Sequence, residues 1–188
     1  MGIESYIQDR IVKDQLEGWE MPFPTQRVFF KKNEIITRFG QLERKAYLLV
    51  RGVIESAIER GGEEKIIDFV FPQSFICSYT SFLQQIPSEI QTKAITDCEV
   101  EYFLKEDLEA AYRHSLVANW FGRSVTEQFL IKKLKRENSF LTKSAKENYL
   151  ELLEEYPEVL KMVPVYKIAK YLGIHPESLS RIRSEIIS

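Results

Sequence analysis

The chain has 188 residues, of which 44% are hydrophobic and 12% aromatic, and its formal net charge at pH 7 is −2. This composition is typical of a globular protein with one well-sized core and room for a smaller second unit. It contains no run of about 18 uninterrupted apolar residues and no apolar block at its start, so we expect no membrane span and no signal peptide, and predict a cytoplasmic protein without membrane contact.

The chain offers few residues that could bind a metal. Its only cysteines are Cys77 and Cys98, and its only histidines, His114 and His175, lie far apart in the sequence. Two thiols cannot by themselves hold an iron–sulfur cluster or a four-ligand zinc ion. A metal enzyme usually has more ligands than this. We therefore predict no metal, no cofactor and no catalytic residues, in a protein that is not an enzyme.

The first part of the chain predicts a short helix followed by β-structure. Residues 3–17 alternate apolar and charged positions at helical spacing. From Gln26 to Leu104 the pattern changes to short β-branched or aromatic runs, namely QRVFF, EIITRF, KAYLLV, GVIESAIE, EKIIDFVF, IQTKAIT and EVEYFL. The paired glycines Gly61 and Gly62 predict a hairpin turn, because glycine readily adopts positive φ angles. Many short strands at this spacing predict an antiparallel barrel or sandwich.

After Lys105 the strand pattern stops, and Asp107 to Asn138 reads as one long helix. A surface helix needs a single apolar stripe, whereas this one carries large apolar residues on more than one face. It is either the core helix of a monomer or a helix that packs both on its own barrel and on a twin helix. We favour the second interpretation, with an interface formed by Val117, Trp120, Phe121, Val125 and Phe129.

The next segment, NSFLTKSAKENYLELLEEYPEVLKMVP, predicts another helix, in which Ser144 and Glu147 have the spacing of a capping box. Charge also changes along the chain. Residues 132–188 carry eleven Lys and Arg against eight Asp and Glu, whereas the preceding residues carry 15 against 20. An acidic front and a basic back are consistent with a polyanionic partner, although basic faces are often simply solvated.

The last segment, YKIAKYLGIHPESLSRIRS, has the pattern of a helix-turn-helix. Gly173 permits a sharp turn, and Pro176 suits the first position of the second helix because its missing N–H would have no partner there. The two helices would face each other through Val165, Ile168, Ala169, Leu172, Ile174, Leu179 and Ile182.

The outward face of the second helix is small and polar, and consists of Glu177, Ser178, Ser180, Arg181 and Ser184. Short side chains let a helix approach the floor of the DNA major groove, where Arg181 could donate to guanine and Glu177 could accept from cytosine. Alternatively, these two residues form an ordinary ion pair across one helical turn. Both descriptions can hold, and we favour DNA contact, with phosphates neutralised by Lys161, Lys167, Lys170 and Arg183.

In this order of segments the chain resembles the Crp/Fnr family of transcription regulators, from about Phe30 to Arg183. The most specific part is IAKYLGIHPESLSRIR, where a Pro-Glu pair opens the recognition helix and Glu177 and Arg181 match base-reading positions. The resemblance implies an α+β fold: an antiparallel β-roll (a double-stranded β-helix, cyclic-nucleotide-binding-like), a long dimerisation helix and a small all-α helix-turn-helix domain. The expected divisions are 1–110, 111–138 and 139–188. The expected partners are a second copy of the chain, double-stranded DNA with an inverted-repeat operator, and RNA polymerase.

The sequence departs from this family where cyclic nucleotides would bind. The resemblance implies a Gly-Glu-Leu turn and an Arg-Ser or Arg-Thr pair, but here the corresponding positions hold Cys77-Ser78-Tyr79 and Ser88-Glu89. An acid at this position would repel a phosphate. We expect a pocket for a neutral or mildly polar effector, or for none, formed by Phe75, Ser78, Tyr79, Thr80, Ser88 and Lys93. The wing that follows the recognition helix in the family is also expected to be missing.

A second hypothesis is a small-molecule-binding or cupin-like β-roll without DNA-binding activity. A cupin enzyme would need clustered histidines, and the segment from Gln26 to Leu104 contains none. A third is a scaffold protein that kept this fold but lost DNA binding, against which the intact face around Glu177 and Arg181 argues. We therefore favour a DNA-binding regulator.

Overall fold

The computed structural model describes residues 1–12 and 19–187. The chain begins with helix α1 (Ile3–Ile7), which continues into a π-helical turn (Gln8–Val12). The apolar side chains of α1 are fully buried against the sheet and a later helix. The helix predicted over residues 3–17 is therefore present in its first part, although partly in the wider π form, and residues 13–17 of that prediction lie outside the described residues.

The described residues contain two four-stranded antiparallel sheets, in the orders β1-β8-β3-β6 and β2-β7-β4-β5. The strands are β1 (Gln26–Phe30), β2 (Ile35–Thr37), β3 (Lys45–Arg51), β4 (Ile54–Arg60), β5 (Glu63–Val70), β6 (Phe75–Ile76), β7 (Ile90–Ala94) and β8 (Cys98–Leu104). The predicted antiparallel architecture is confirmed. Only β6 was not predicted, because two residues are too few to show an alternating pattern.

The hairpin turn and the alternation of inward-facing and outward-facing side chains both follow from the local sequence of the strands. Gly61 and Gly62 have φ angles of +64° and +79°, and the flanking residues Arg60 and Glu63 pair across the hairpin between β4 and β5. The predicted hairpin is thus confirmed. Alternate residues of the strands meet in a core between the two sheets, with Leu49 and Ile54 fully buried at its centre.

Two helices follow the sheets, α3 (Lys105–Tyr112) and α4 (Leu116–Thr142). The prediction of one helix from Asp107 to Asn138 was wrong at the break between them. The backbone of Ser115 is extended, and its hydroxyl oxygen accepts a hydrogen bond from the Ala118 N–H at 3.1 Å, so Ser115 starts a new helix as its N-cap.

The first half of α4 is buried in the core of the chain. Phe121 is fully buried and makes edge-on contacts with Phe75 and Phe103, with ring centroids 5.5 Å apart in both cases. Val117 lies in the same cluster. This placement corrects the predicted dimer interface, because Val117 and Phe121 already pack inside the protomer.

The last four helices of the described residues are α5 (Ala145–Glu155), α6 (Val159–Met162), α7 (Val165–Leu172) and α8 (Pro176–Ile187). The capping box at Ser144 and Glu147 is confirmed, since each side chain bonds the backbone of the other residue. The segment predicted as one helix is divided between the end of α4, α5 and α6. Gly173 joins α7 to α8 in the left-handed conformation, with φ +69°, as its position in the pattern predicted.

We refer to residues 145–187 as the C-terminal unit. Its apolar residues do not form a separate core, because they share one cluster with the rim of the β-roll. Phe71 stacks on Tyr156 with centroids 3.7 Å apart, and Phe69 contacts Tyr171 at 5.1 Å. The C-terminal unit is thus packed firmly on the roll. Throughout the described residues, no helix combines the length and apolarity needed to cross a bilayer.

The burial of Phe121 gives a first prediction. Phe121→Ala should lower the free energy of unfolding by about 3–5 kcal/mol, because it leaves a cavity in the protomer core. Phe29→Ala, at a position that is 64% exposed, is the matched control and should change it by only about 0.5 kcal/mol. Denaturant unfolding measures both. Equal costs for the two variants would contradict the described orientation of α4.

Candidate nucleic-acid interface and effector cavity

The face of α8 that was predicted to read DNA is exposed. Its five residues, Glu177, Ser178, Ser180, Arg181 and Ser184, all lie on the surface. The opposite face is held by Leu179, which is fully buried in the shared core, and by Ile182. The Ser184 hydroxyl also donates a hydrogen bond to the Ser180 carbonyl oxygen, one turn earlier in α8, at 3.1 Å. The helix is therefore anchored on one side and accessible on the other.

Glu177 and Arg181 do not form the ion pair that was the alternative reading of this face. Within the described residues, neither side chain has a hydrogen-bond or ion-pair partner. A guanidinium and a carboxylate one turn apart thus remain available to an external partner. These groups are a donor and an acceptor of the kinds that distinguish base edges in the major groove.

The four predicted phosphate-binding cations differ in their surroundings. Lys170 is exposed, and Lys161 is exposed with a surface ion pair to Glu158 at 2.7 Å. Arg183 lies on the inner side of α8, half-buried beside the Tyr149 hydroxyl. Lys170 is therefore the cation most accessible to a phosphate near α8.

Lys167 forms an ion pair with a residue of the β-roll. Its Nζ lies 2.7 Å and 2.6 Å from the two carboxylate oxygens of Glu55 on β4, and the two side chains are only 17% and 6% exposed. The sequence offered no signal for this pair, because its members are 112 positions apart. Any contact of Lys167 with a phosphate requires this ion pair to break.

The segment 77–89, which corresponds to the family's phosphate-binding site and which we call the cassette, is closed by its own hydroxyl groups. Ser78 and Ser88 are both buried, and their Oγ atoms lie 2.6 Å apart. Ser88 Oγ is also 2.6 Å from the carbonyl oxygen of Ile90. The two serines therefore satisfy each other and the backbone, and bring no positive charge to the position.

A buried acid lies under the same cassette. The Glu43 carboxylate accepts hydrogen bonds from the Thr37 hydroxyl at 2.6 Å and the Lys45 N–H at 3.1 Å, and from the backbone of Ser78. Burial raises the pKa of Glu43 despite these bonds. Burial, and next the charge of Glu43, raise the pKa of the neighbouring Cys77 thiol. The electrostatics here oppose an incoming phosphate.

A cavity of about 580 Å³ lies between the β-roll and α4, and we call it the roll–helix cavity. Of the six predicted effector residues, Phe75 and Thr80 line it, whereas Ser78, Ser88, Tyr79 and Lys93 do not. Tyr79 instead joins α2 (Tyr79–Gln84) to α4, by stacking on Phe129 at 4.6 Å and bonding the Thr126 hydroxyl at 2.7 Å.

Apart from Glu89, sequence reasoning missed the charged residues of this cavity. They are Asp68, Glu89, Lys132, Lys133, Arg136 and Glu137, and four of the six belong to the second half of α4. Lys132 pairs with Asp68 on β5 at 2.7 Å. A run of basic residues on a predicted helix reads as a solvated face, and only the path of α4 over the roll brings it to the cavity.

Comparison with known proteins identifies the fold. Residues 27–115 match the protein-family model for the cyclic nucleotide-binding domain. FixK2 from Bradyrhizobium japonicum superposes with a TM-score of 0.72 at 22% identity, over 87% of this chain and 84% of that one. The c-di-GMP-responsive global regulator CLP from Xanthomonas campestris gives 0.65 at 16% identity, over 86% of each chain. The catabolite activator protein of Thermus thermophilus gives 0.52 at 20% identity, over 87% and 78%. No curated protein matches the sequence.

These likenesses extend over both the β-roll and the C-terminal helices. The chain has the fold of the Crp/Fnr transcriptional regulators, with a cyclic-nucleotide-binding-like roll, a long helix and C-terminal helices. The fold class expected from the resemblance is confirmed. At identities of 22% and below, this agreement concerns the architecture and not the function of particular side chains.

The buried ion pair between Lys167 and Glu55 yields a second prediction. Lys167→Ala should lower the free energy of unfolding by about 3–5 kcal/mol, because it leaves the Glu55 carboxylate buried and unpaired. The double variant Glu55→Leu with Lys167→Met should recover most of that loss. Lys161→Ala, which removes an exposed pair, should cost about 1 kcal/mol or less. If Lys161→Ala and Lys167→Ala cost the same in denaturant unfolding, the buried pair does not form in solution.

Proposed function

We propose that this chain is a homodimeric, sequence-specific DNA-binding transcriptional regulator of the Crp/Fnr type. The observation that carries the proposal is the exposed face of α8, where Glu177 and Arg181 have no partner among the described residues and lie beside the small side chains of Ser178, Ser180 and Ser184. Such a helix can approach base edges closely, because serine side chains do not keep it out of the groove. Double-stranded DNA is the proposed ligand, and RNA polymerase a further partner on the strength of the resemblance.

The outer face of α4 supports self-association. With Val117 and Phe121 inside the protomer, the surface left for a second copy is a stripe of exposed apolar residues along the helix. Leu116, Leu130, Leu134 and Leu141 recur at coiled-coil spacing, with exposures of 67%, 55%, 49% and 78%. The exposed ion pair of Arg123 and Glu127 interrupts the stripe before Leu130. Trp120 lies on the same stripe and is half-buried. We propose a two-fold dimer through this stripe, with Phe129 and Val125 remaining in contact with their own roll.

We propose the same three functional regions that the sequence predicts: a sensor over residues 1–110, a dimerisation helix over 111–138 and a DNA-binding domain over 139–188. The helix ends at Tyr112 and Thr142 suggest joints a few residues from these limits. The sensor is proposed to use the roll–helix cavity for an effector other than a cyclic nucleotide. No observation favours the cupin-like alternative.

The dimer proposal predicts the effect of breaking the stripe. Leu130→Glu with Leu134→Glu should convert the protein to a monomer at micromolar concentration, because four like charges would face one another across the interface. Leu160→Glu, at an exposed position of α6, is the control and should leave the mass unchanged. Light scattering measures both, and a wild-type monomer in this range would contradict the proposal.

The DNA-reading face predicts different effects for two basic residues. Arg181→Ala should cost about 1–3 kcal/mol at the cognate site and relax the preference at one base position. Lys170→Ala should weaken binding to all sequences alike and reduce the salt slope by about 1. Fluorescence anisotropy at several salt concentrations separates these outcomes. If the two variants behave identically, the reading face is wrongly assigned.

The cassette predicts that cyclic AMP and cyclic GMP do not bind at micromolar concentration. Loss of a charge-assisted hydrogen bond from an arginine costs about 1.5–3 kcal/mol, before any repulsion by Glu43 and Glu89. Calorimetry should detect no binding of either nucleotide, and neither should alter DNA affinity. Micromolar affinity for either one would overturn this part of the proposal.

A further inference from the structure

Arg136 of α4 occupies an unusual position in the fold. Its guanidinium lies over the ring of Phe140 at 4.4 Å and over the ring of Tyr171 at 4.1 Å. It lines the roll–helix cavity and also a second cavity of about 340 Å³, enclosed by β5, α4, α5 and α7. We call this second space the junction cavity. Arg136 therefore stands where the roll, the long helix and the C-terminal unit meet.

One nitrogen of this guanidinium has no acceptor. Arg136 Nη1 is buried, and no hydrogen-bond acceptor among the described residues is within its reach. An arginine stays protonated in proteins, so the group cannot relieve its burial by losing a proton. A buried donor without an acceptor costs free energy that an incoming oxygen atom would recover. The position is thus suited to an acidic ligand.

Besides its charged residues, the roll–helix cavity has a large apolar wall. Its walls include Ile58, Ile67, Val70, Phe75 and Phe129, which come from both sides of the space. A volume of about 580 Å³ is in the usual range of sites for small organic molecules. A ligand that fills it needs an apolar body, with its acidic group at the Arg136 end.

The surrounding charges favour a monoanion over a phosphate. Lys132 is already neutralised by Asp68, and the other charges on the walls, Lys133 and Arg136 against Glu89 and Glu137, sum to zero. A phosphate monoester brings up to two negative charges and three acceptor oxygens, which this set of residues could not balance. A carboxylate brings one charge, which the Arg136 guanidinium can balance from the wall of the cavity.

We propose that the roll–helix cavity binds an amphipathic monocarboxylate, whose carboxylate accepts a hydrogen bond from Arg136 and whose apolar body lies against Val70, Phe75 and Phe129. The proposal rests on the effector role assigned to this cavity above and gives the effector a chemical class. Because Arg136 also contacts Tyr171 of α7, the ligand-binding group touches the helix pair that carries the proposed DNA-reading face.

Calorimetry on the full chain without DNA tests this site. The probes are hexanoate, 4-phenylbutyrate and 1-naphthaleneacetate, with 1-naphthaleneacetamide as the neutral match and 1-naphthyl phosphate as the second anion. At least one carboxylate should bind, and 1-naphthaleneacetate should bind about tenfold or more tightly than its amide, as expected for a charge-assisted hydrogen bond. R136Q should abolish this preference, and R136K should retain part of it. R123Q, at an exposed position on the same helix, should leave it intact.

Three results would overturn the proposal: no binding by any of the carboxylates, equal affinity for 1-naphthaleneacetate and its amide, or a preference that survives R136Q. Tighter binding of the naphthyl phosphate would also overturn it, since the charge argument requires a monoanion. The measurement involves no DNA, so its failure would leave the proposed DNA-binding function untouched. Conversely, a protein that binds no DNA can still show the carboxylate preference.

Discussion

The orientation of α4 about its own axis determines which residues this helix buries and which it exposes. Burial of Val117, Ala118 and Phe121 against the roll fixes which side of the helix faces inward. Once that side is fixed, helical periodicity determines the direction of every other side chain on α4. The leucines of the outer stripe face solvent, and Lys132 and Arg136 turn toward the roll–helix cavity. The packing near the start of α4 thus separates a core face, an exposed apolar stripe and a side that lines the roll–helix cavity.

The C-terminal unit depends on the same frame. Its helices share an apolar cluster with the roll, and the pairs Phe71–Tyr156 and Lys167–Glu55 add an aromatic and an ionic contact to that interface. Consequently α7 and α8 hold a defined position relative to the β-roll. The ion pair also withdraws Lys167 from the surface, whereas Lys170 remains exposed.

Features governed by local chemistry could be predicted from the sequence, and those governed by distant contacts could not. The hairpin at Gly61–Gly62, the capping box at Ser144 and the turn at Gly173 each follow from a few adjacent residues whose backbone preferences are strong. The break before α4 escaped prediction, because Ser115 gives a weak signal inside a long run of helix-forming residues. Apolar periodicity showed that α4 has two apolar faces but did not assign them, so core residues were placed in the dimer interface. The Lys167–Glu55 pair and the contacts of Arg136 arise from tertiary packing between distant segments. Such contacts cannot be predicted from a single sequence.

Selection of bound sites from random double-stranded DNA by the purified full chain tests the central claim, sequence-specific DNA binding, most directly. The account predicts enrichment of an inverted repeat whose half-sites are centred about one helical turn, roughly 34 Å, apart, since a two-fold dimer presents two recognition helices at that spacing. Binding to the enriched sites should weaken steeply with added salt, as phosphate contacts require. Recovery of no common sequence, or of a single asymmetric half-site bound by a monomer, would contradict it.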